Sequence, residues 1–334
     1  MRWYVWVSAL VVAVVLALLP ILHIPDYALT LITQMMIYGI AAMGLDLLVG
    51  YTGLVSFAQA AFFGIGAYVV AVGATEAGIT SFGALLLMGI VLATLVAGLF
   101  GVIALRASGV GFIIVTLALD ELVWGLAYQW VNVSGGDNGI TGFSRPHIGP
   151  WSFVGDYHFF YLPFAFLILS AIALYLIVRS PFGLVLRGIR EHPRRMRALG
   201  YNIWLYRYLA FVISGLFAGL AGVLIAYYNV FVSTTNLDLG QSTQFLIMTI
   251  LGGTGTLFGS LLGSGIIVAL TNILSNYTQR WELILGAIYM VIVIWAPEGI
   301  LGLVRHLTSR RQMRIVGGAE PELPAEEEAR STHI

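Results

Sequence analysis

No cysteine and no lysine occur anywhere in this sequence, and charged residues make up only 10% of it. Without cysteine there is neither a disulfide framework nor a thiolate metal site, and thiols say nothing about redox compartment. Without lysine there is no P-loop, whose lysine must reach the phosphates, and no Schiff-base amine. All sixteen basic residues are arginine. The scarcity of charge is the strongest constraint. With 59% hydrophobic residues and a mean hydropathy of +0.93, a soluble domain of 334 residues would lack the polar residues to cover its surface, whereas lipid accepts apolar side chains. The composition is that of a polytopic, all-α membrane protein.

What is present is a series of apolar runs. Trp3–Leu22 follows Arg2 and ends without a small-x-small cleavage pattern, so it reads as a retained first span. Ala28–Val49, Leu54–Thr75, Phe82–Leu105, Val110–Val131, His158–Val178, Tyr208–Asn229, a short Gln241–Gly252, Leu257–Ser275 and Trp281–Leu301 follow. Counting the short piece gives ten segments, crossing or re-entrant. If they alternate, Arg106, the arginines between Arg179 and Arg207, and Arg305, Arg310, Arg311 and Arg314 fall on one side. Asp26, Glu76, Asp156 and Asp238 then fall on the other. By the positive-inside tendency both termini are cytoplasmic, and the basic 179–207 stretch is a cytoplasmic loop. The sequence divides into a membrane domain over 1–311 and an acidic tail over 312–334, where Gly317-Gly318, prolines and glutamates predict disorder.

Two glycine-rich blocks stand out, one in each half. Gly50, Gly53, Gly64 and Gly66 surround Ser56 and Gln59, while Gly252, Gly253, Gly255 and Gly259 follow the short apolar piece. They admit two readings: close helix packing, or broken helices lining a solute path. Asp46, Asp120 and Glu121 lie within apolar runs, where an unpaired carboxylate costs several kcal/mol and needs a partner, a proton or water. The exterior stretch Asn132 to Gly139 carries Asp and Asn beside glycine but lacks the ligand alternation of a calcium loop, so turns are expected and no metal.

The run from Tyr38 to Tyr68, with Gly50-Tyr51-Thr52-Gly53, Ser56-Phe57-Ala58-Gln59 and Gly64-Ile65-Gly66, resembles the signature of branched-chain amino acid ABC-transporter permeases of the LivM type. The resemblance continues through Thr116 to Glu121, Gly135 to Gly139, Ser180 to Gly183 and Ile189-Arg190-Glu191. Beyond these it takes in Ala198-Leu199-Gly200, Gly219 to Gly222, Gly252 to Gly259 and Pro297 to Gly302. It implies a permease subunit of an ATP-driven importer in the inner membrane, without an ATP site or cofactor of its own. The implied partners are a second, similar permease, two cytosolic ATP-binding subunits, an extracytoplasmic solute-binding protein and membrane lipid, with no nucleic acid. Branched-chain or other hydrophobic amino acids are the implied cargo; urea, short amides or aromatic acids are alternatives within the family.

The resemblance also assigns the 179–207 loop to ATPase coupling, through Arg187, Arg190, Glu191, Arg194, Arg195, Leu199 and Gly200. Gly183–His192 suits one short helix, Pro193 a new first turn, and Gly200 its stop. If the helix continued, Arg187, Arg190 and Arg194 would share a face, with Leu184, Ile189, Met196 and Leu199 offering apolar contacts. The plainer alternative is a basic loop on anionic headgroups. Asp46, Gln59, Asp120 and Glu121 are the candidate path or buried polar residues. Glu121 matches the family's acidic position and is expected to be buried and paired, whereas Asp46 stands for its usual Asn and Asp120 for a Gly. An ion-coupled secondary transporter would share the glycine breaks and membrane carboxylates. An intramembrane protease is excluded by the lack of Gly-x-Gly-Asp and Gly-x-Ser-Gly.

Overall fold

A computed structural model describes residues 25–148, 151–153, 155–278 and 280–295, together with Pro20 and Gly299. The proposed first span and the 312–334 tail lie outside these residues. Twelve helices are described, in the order α1 Asp26–Thr52, α2 Gln59–Thr75, α3 Phe82–Ala104, α4 Val110–Gln129, α5 Val131–Ser134, α6 Asp156–Arg179, α7 Pro181–Glu191, α8 Pro193–Ala198, α9 Ile203–Asn229, α10 Leu239–Gly252, α11 Leu257–Tyr277 and α12 Trp281–Trp295. Six of them, α1, α3, α4, α6, α9 and α11, are long and apolar enough to cross a bilayer. Among the described residues the predicted span boundaries hold to within a few residues except at Leu54–Thr75, where helix begins only at Gln59, and at Tyr208–Asn229, where it begins already at Ile203; the end of Trp281–Leu301 lies outside the described residues. A two-residue antiparallel hairpin, β1 His147–Ile148 with β2 Trp151–Ser152, is the one sheet among the described residues, and an Ile140↔Val232 bridge ties its loop to the α9–α10 connection.

Helices α1 and α9 form the centre, packed on α2, α3 and α11. Lipid gives little hydrophobic driving force between helices, so close packing has to hold them together. Aromatic edges do part of this: Phe62 meets Phe211 at 5.6 Å, and Tyr38 and Phe63 meet Phe245 at 5.5 Å and 5.1 Å. Glycine does the rest. A Cβ on Gly222 of α9 would lie 1.8 Å from the Phe63 carbonyl oxygen of α2, and one on Gly66 would lie 2.2 Å from the Gly219 carbonyl oxygen. Such backbone approaches leave no volume for a side chain. The outer faces of α3 and α4 differ; Leu87, Val91, Leu95 and Leu99, then Ile114, Leu122 and Leu126, are exposed, as a lipid-facing surface requires.

The glycines therefore divide between the two readings. Gly64 and Gly66 lie inside the continuous helix α2 and serve packing, not a break, because their missing Cβ admits Leu237 and the Gly219 carbonyl. Gly50, Gly252 and Gly259 are helical too. The actual breaks carry positive φ: Gly53 at 74° ends α1, and Gly253 at 111° and Gly255 at 81° separate α10 from α11.

Candidate translocation and coupling site

The first break is non-helical from Gly53 to Ala58, and residues at the middle of other spans surround its far end. Gln59, the first residue of α2, donates through Nε2 to the Ala41 carbonyl at 3.2 Å and accepts from Ser214 Oγ at 3.2 Å. Ala41 and Ser214 lie near the midpoints of α1 and α9, so α2 starts in the bilayer interior. A helix beginning there exposes orphan N–H groups to a medium without water. The chain supplies acceptors from elsewhere. Ala60 N–H donates to Ser242 Oγ at 2.8 Å, Ala61 N–H donates to Asp120 Oδ1 at 2.7 Å, and Phe57 N–H donates to Thr116 Oγ1 at 3.2 Å. Asp120 thus caps α2 from α4, with a carboxylate at the positive end of the helix dipole.

Of the two adjacent carboxylates of α4, Asp120 and not Glu121 is the one buried and paired. Phe112, Thr116 and Asp120 are the buried positions of α4, one every four residues, and Asp120 is fully buried. Glu121, one residue on and about 100° around the helix, is half-buried and has no hydrogen-bond partner among the described residues. The expectation that Glu121 is the buried, paired carboxylate is therefore corrected. Thr116 and Asp120, four residues apart, share a face, but Ile113, Leu117 and Glu121 share another, so spacing alone did not choose between the carboxylates. Ser242 and Ser214 had no signal, since their role depends on which helices meet.

The second centre lies where α1 ends. Asp46, fully buried, accepts the Gly255 N–H through Oδ1 at 2.7 Å, while its Oδ2 has no partner among the described residues. Gly50 lies beneath Gly255 so closely that a Cβ there would be 2.2 Å from the Gly255 nitrogen. Arg190 Nη1, from α7, donates to the Gly50 carbonyl oxygen. Arg187 places its guanidinium carbon 5.0 Å from the Tyr51 ring centroid. The two breaks, predicted separately, thus meet each other and α7.

This arrangement divides the basic loop. Pro193 occupies a first helical turn and Gly200 has φ 88°, as expected; the first helix starts at Pro181, two residues before the expected Gly183, and His192 at φ −140° separates it from the second. Arg194 is consequently out of register with Arg187 and Arg190, and the shared arginine face does not form. Ile189 is buried with Val185 and Ile203, and Met196 packs against them, so these two side chains hold α7, α8 and α9 together and do not face a partner. The outward surface comprises Leu184 (64% exposed), Leu199 (71% exposed), Glu191, Arg194, Arg195 and Arg197. Among the described residues, no three His, Asp or Glu side chains are grouped to hold a metal.

The model of a family described as branched-chain amino acid transport system / permease component matches residues 27–294. The high-affinity branched-chain amino acid transport system permease protein LivM of Salmonella typhimurium is 31% identical over 297 residues, covering 82% of this chain and 69% of the relative. LivM of Escherichia coli is 30% identical over 311 residues, covering 86% and 72%. A probable branched-chain amino acid transport permease protein LivH of Methanocaldococcus jannaschii is 27% identical over 281 residues, 78% and 87% of the two chains. No solved structure matches the chain.

Proposed function

The chain belongs to the family of branched-chain amino acid transport permease components, and on that premise we propose that it is the membrane-spanning subunit of an ATP-driven importer of branched-chain or other hydrophobic amino acids. The observation that carries this reading is the family match across 27–294, which takes in both glycine breaks and the α7–α8 pair. A chain without lysine has no P-loop, so in this reading ATP hydrolysis falls to a partner. The exposed Leu184 and Leu199, flanked by Arg194, Arg195 and Arg197, offer an apolar centre with a basic rim for a cytosolic ATP-binding subunit. A second permease, two such ATP-binding subunits and an extracytoplasmic binding protein complete the importer in this reading. Both termini are cytoplasmic, ten segments make up the membrane domain over 1–311, and deletion of 317–334 from the tail should leave uptake intact.

Asp46, Gln59, Asp120 and the positive-φ glycines hold the discontinuous helices in shape around the path; they do not carry out chemistry. The test is uptake of labelled leucine, isoleucine and valine into vesicles co-expressing the chain with the transport genes beside it. Uptake that requires ATP and survives an uncoupler supports the reading. Uptake that collapses with the uncoupler and persists without ATP refutes it in favour of an ion-coupled carrier.

A further inference from the structure

We propose that Arg190 and Asp46 form an internal latch, in which Arg190 is a positioning residue that acts on the two backbone breaks of its own chain and not on the ATPase surface. This rests on the coupling role just assigned to α7. Arg190 is an exposed residue, but its guanidinium turns inward to the Gly50 carbonyl. Its Cγ would be 3.3 Å from a Cβ at Gly53 and its Nη1 3.5 Å from a Cβ at Gly255, so one side chain reaches from the first break to the second. The Gly50 carbonyl it holds belongs to the last turn of α1, where carbonyls lack intrahelical donors and the helix dipole favours a cation.

Asp46 completes the arrangement from below. With Oδ1 occupied by the Gly255 N–H and Oδ2 without a partner among the described residues, the Asp46 carboxyl packs against Gly50, whose carbonyl Arg190 holds, and the Arg190 charge acts on it at longer range. Arg187 over Tyr51 fixes the preceding turn of α7 to the same helix end. The parts depend on one another: displacing α7 removes the donor from Gly50 and the counter-charge from Asp46 together. Because Gly50 and Gly255 touch through backbone, the two breaks cannot part without losing the Asp46–Gly255 bond. Movement of α7 is thereby converted into a change at both breaks.

Two readouts test this on the full-length chain. Hydrogen exchange in the purified permease follows the 253–256 amides, and co-purification of the ATPase with uptake per ATP follows coupling. Arg190→Ala should speed exchange at 53–58 and 253–256 at least tenfold, leave the remaining helices unchanged, retain the ATPase and lower uptake per ATP at least tenfold. Arg190→Lys should recover part of both effects, and Asp46→Asn, which keeps the Oδ1 acceptor but removes the charge, should add little to Arg190→Ala. Leu184→Ala on the outward face should leave exchange untouched. Unchanged exchange at 253–256, or loss of the ATPase from the Arg190→Ala complex, overturns the latch. Exchange does not depend on transport, so absent ATP-driven uptake in the native protein would refute the proposed function while leaving the latch standing.

Discussion

Ala61, in the first turn of α2, donates its N–H to the carboxylate of Asp120, a residue of another helix, at 2.7 Å. The bond crosses from α2 to α4 in the interior of the bundle, and Ser242 of α10 joins it, accepting from Ala60 and lying 3.1 Å from Asp120 Oδ2. Three helices thus share one cap. Ser242 has a single proton and a closer acceptor in the Phe57 carbonyl, at 2.6 Å.

The first prediction follows from that arithmetic. Asp120→Asn keeps the Oδ1 acceptor, and its amide donates to Ser242 Oγ, so the serine proton remains with Phe57. Asp120→Leu strands the Ala61 N–H in a waterless interior, at a cost of about 1–3 kcal/mol. Thermal unfolding in detergent should rank Asp120→Asn near the native protein and Asp120→Leu well below it, with Glu121→Leu milder than Asp120→Leu. Equal midpoints for Asp120→Leu and the native chain would refute the cap.

Gln59 is the second test. It links the Ala41 carbonyl of α1 to Ser214 of α9. Hydrogen bonds between membrane helices average about 0.6 kcal/mol and reach about 1.7, so Gln59→Leu should lower stability modestly, by under about 2 kcal/mol. A double-mutant cycle with Ser214→Ala measures the coupling; strict additivity would remove the bridge from the account.

Glycine replacements separate packing from propensity. Gly222→Ala places a methyl 1.8 Å from the Phe63 carbonyl, a backbone atom that cannot rotate away, and overpacking of this kind costs about 1–3 kcal/mol or more. Gly125→Ala, on α4, meets nothing within 4 Å and should be neutral or gain from helix propensity, up to about 1 kcal/mol. Midpoints of the two variants in one detergent provide the comparison.

The outward loop surface gives the fourth prediction. Leu199→Asp and Arg194→Glu change residues exposed at the α8 end, so the permease should fold and unfold as the native chain does while losing at least tenfold in ATPase co-purification. Retained co-purification in the double variant would move the contact elsewhere.

Span positions were readable because apolar length and arginine placement are properties of contiguous chain. Proline at the start of α8 and glycine beyond it were readable for the same reason. The glycine blocks were visible as blocks, but only φ and approach distance separate Gly53, Gly253 and Gly255, which turn the chain, from Gly64 and Gly66, which admit a neighbour. Arginine spacing suggested one face across 187–194; a single extended residue, His192, broke that register. The inward turn of Arg190 depends on Gly50, 140 residues away in sequence, and no local pattern carries that information.

The glycine seats between α2 and α9 have a mechanical consequence. Gly222 sits against Phe63, and Gly66 against Gly219, with no clearance for a methyl group. Sliding α9 along α2 by one turn would bring Ile225 or Ala226, three and four residues on, to the position of Gly222, and a side chain would strike backbone. Shear between these helices is therefore blocked. The seats at Gly252 and Gly259, and at Gly263 against Met248, block it equally between α10 and α11. Each pair should travel as a rigid body, and opening of the subunit should be a hinge rotation about the non-helical residues between them.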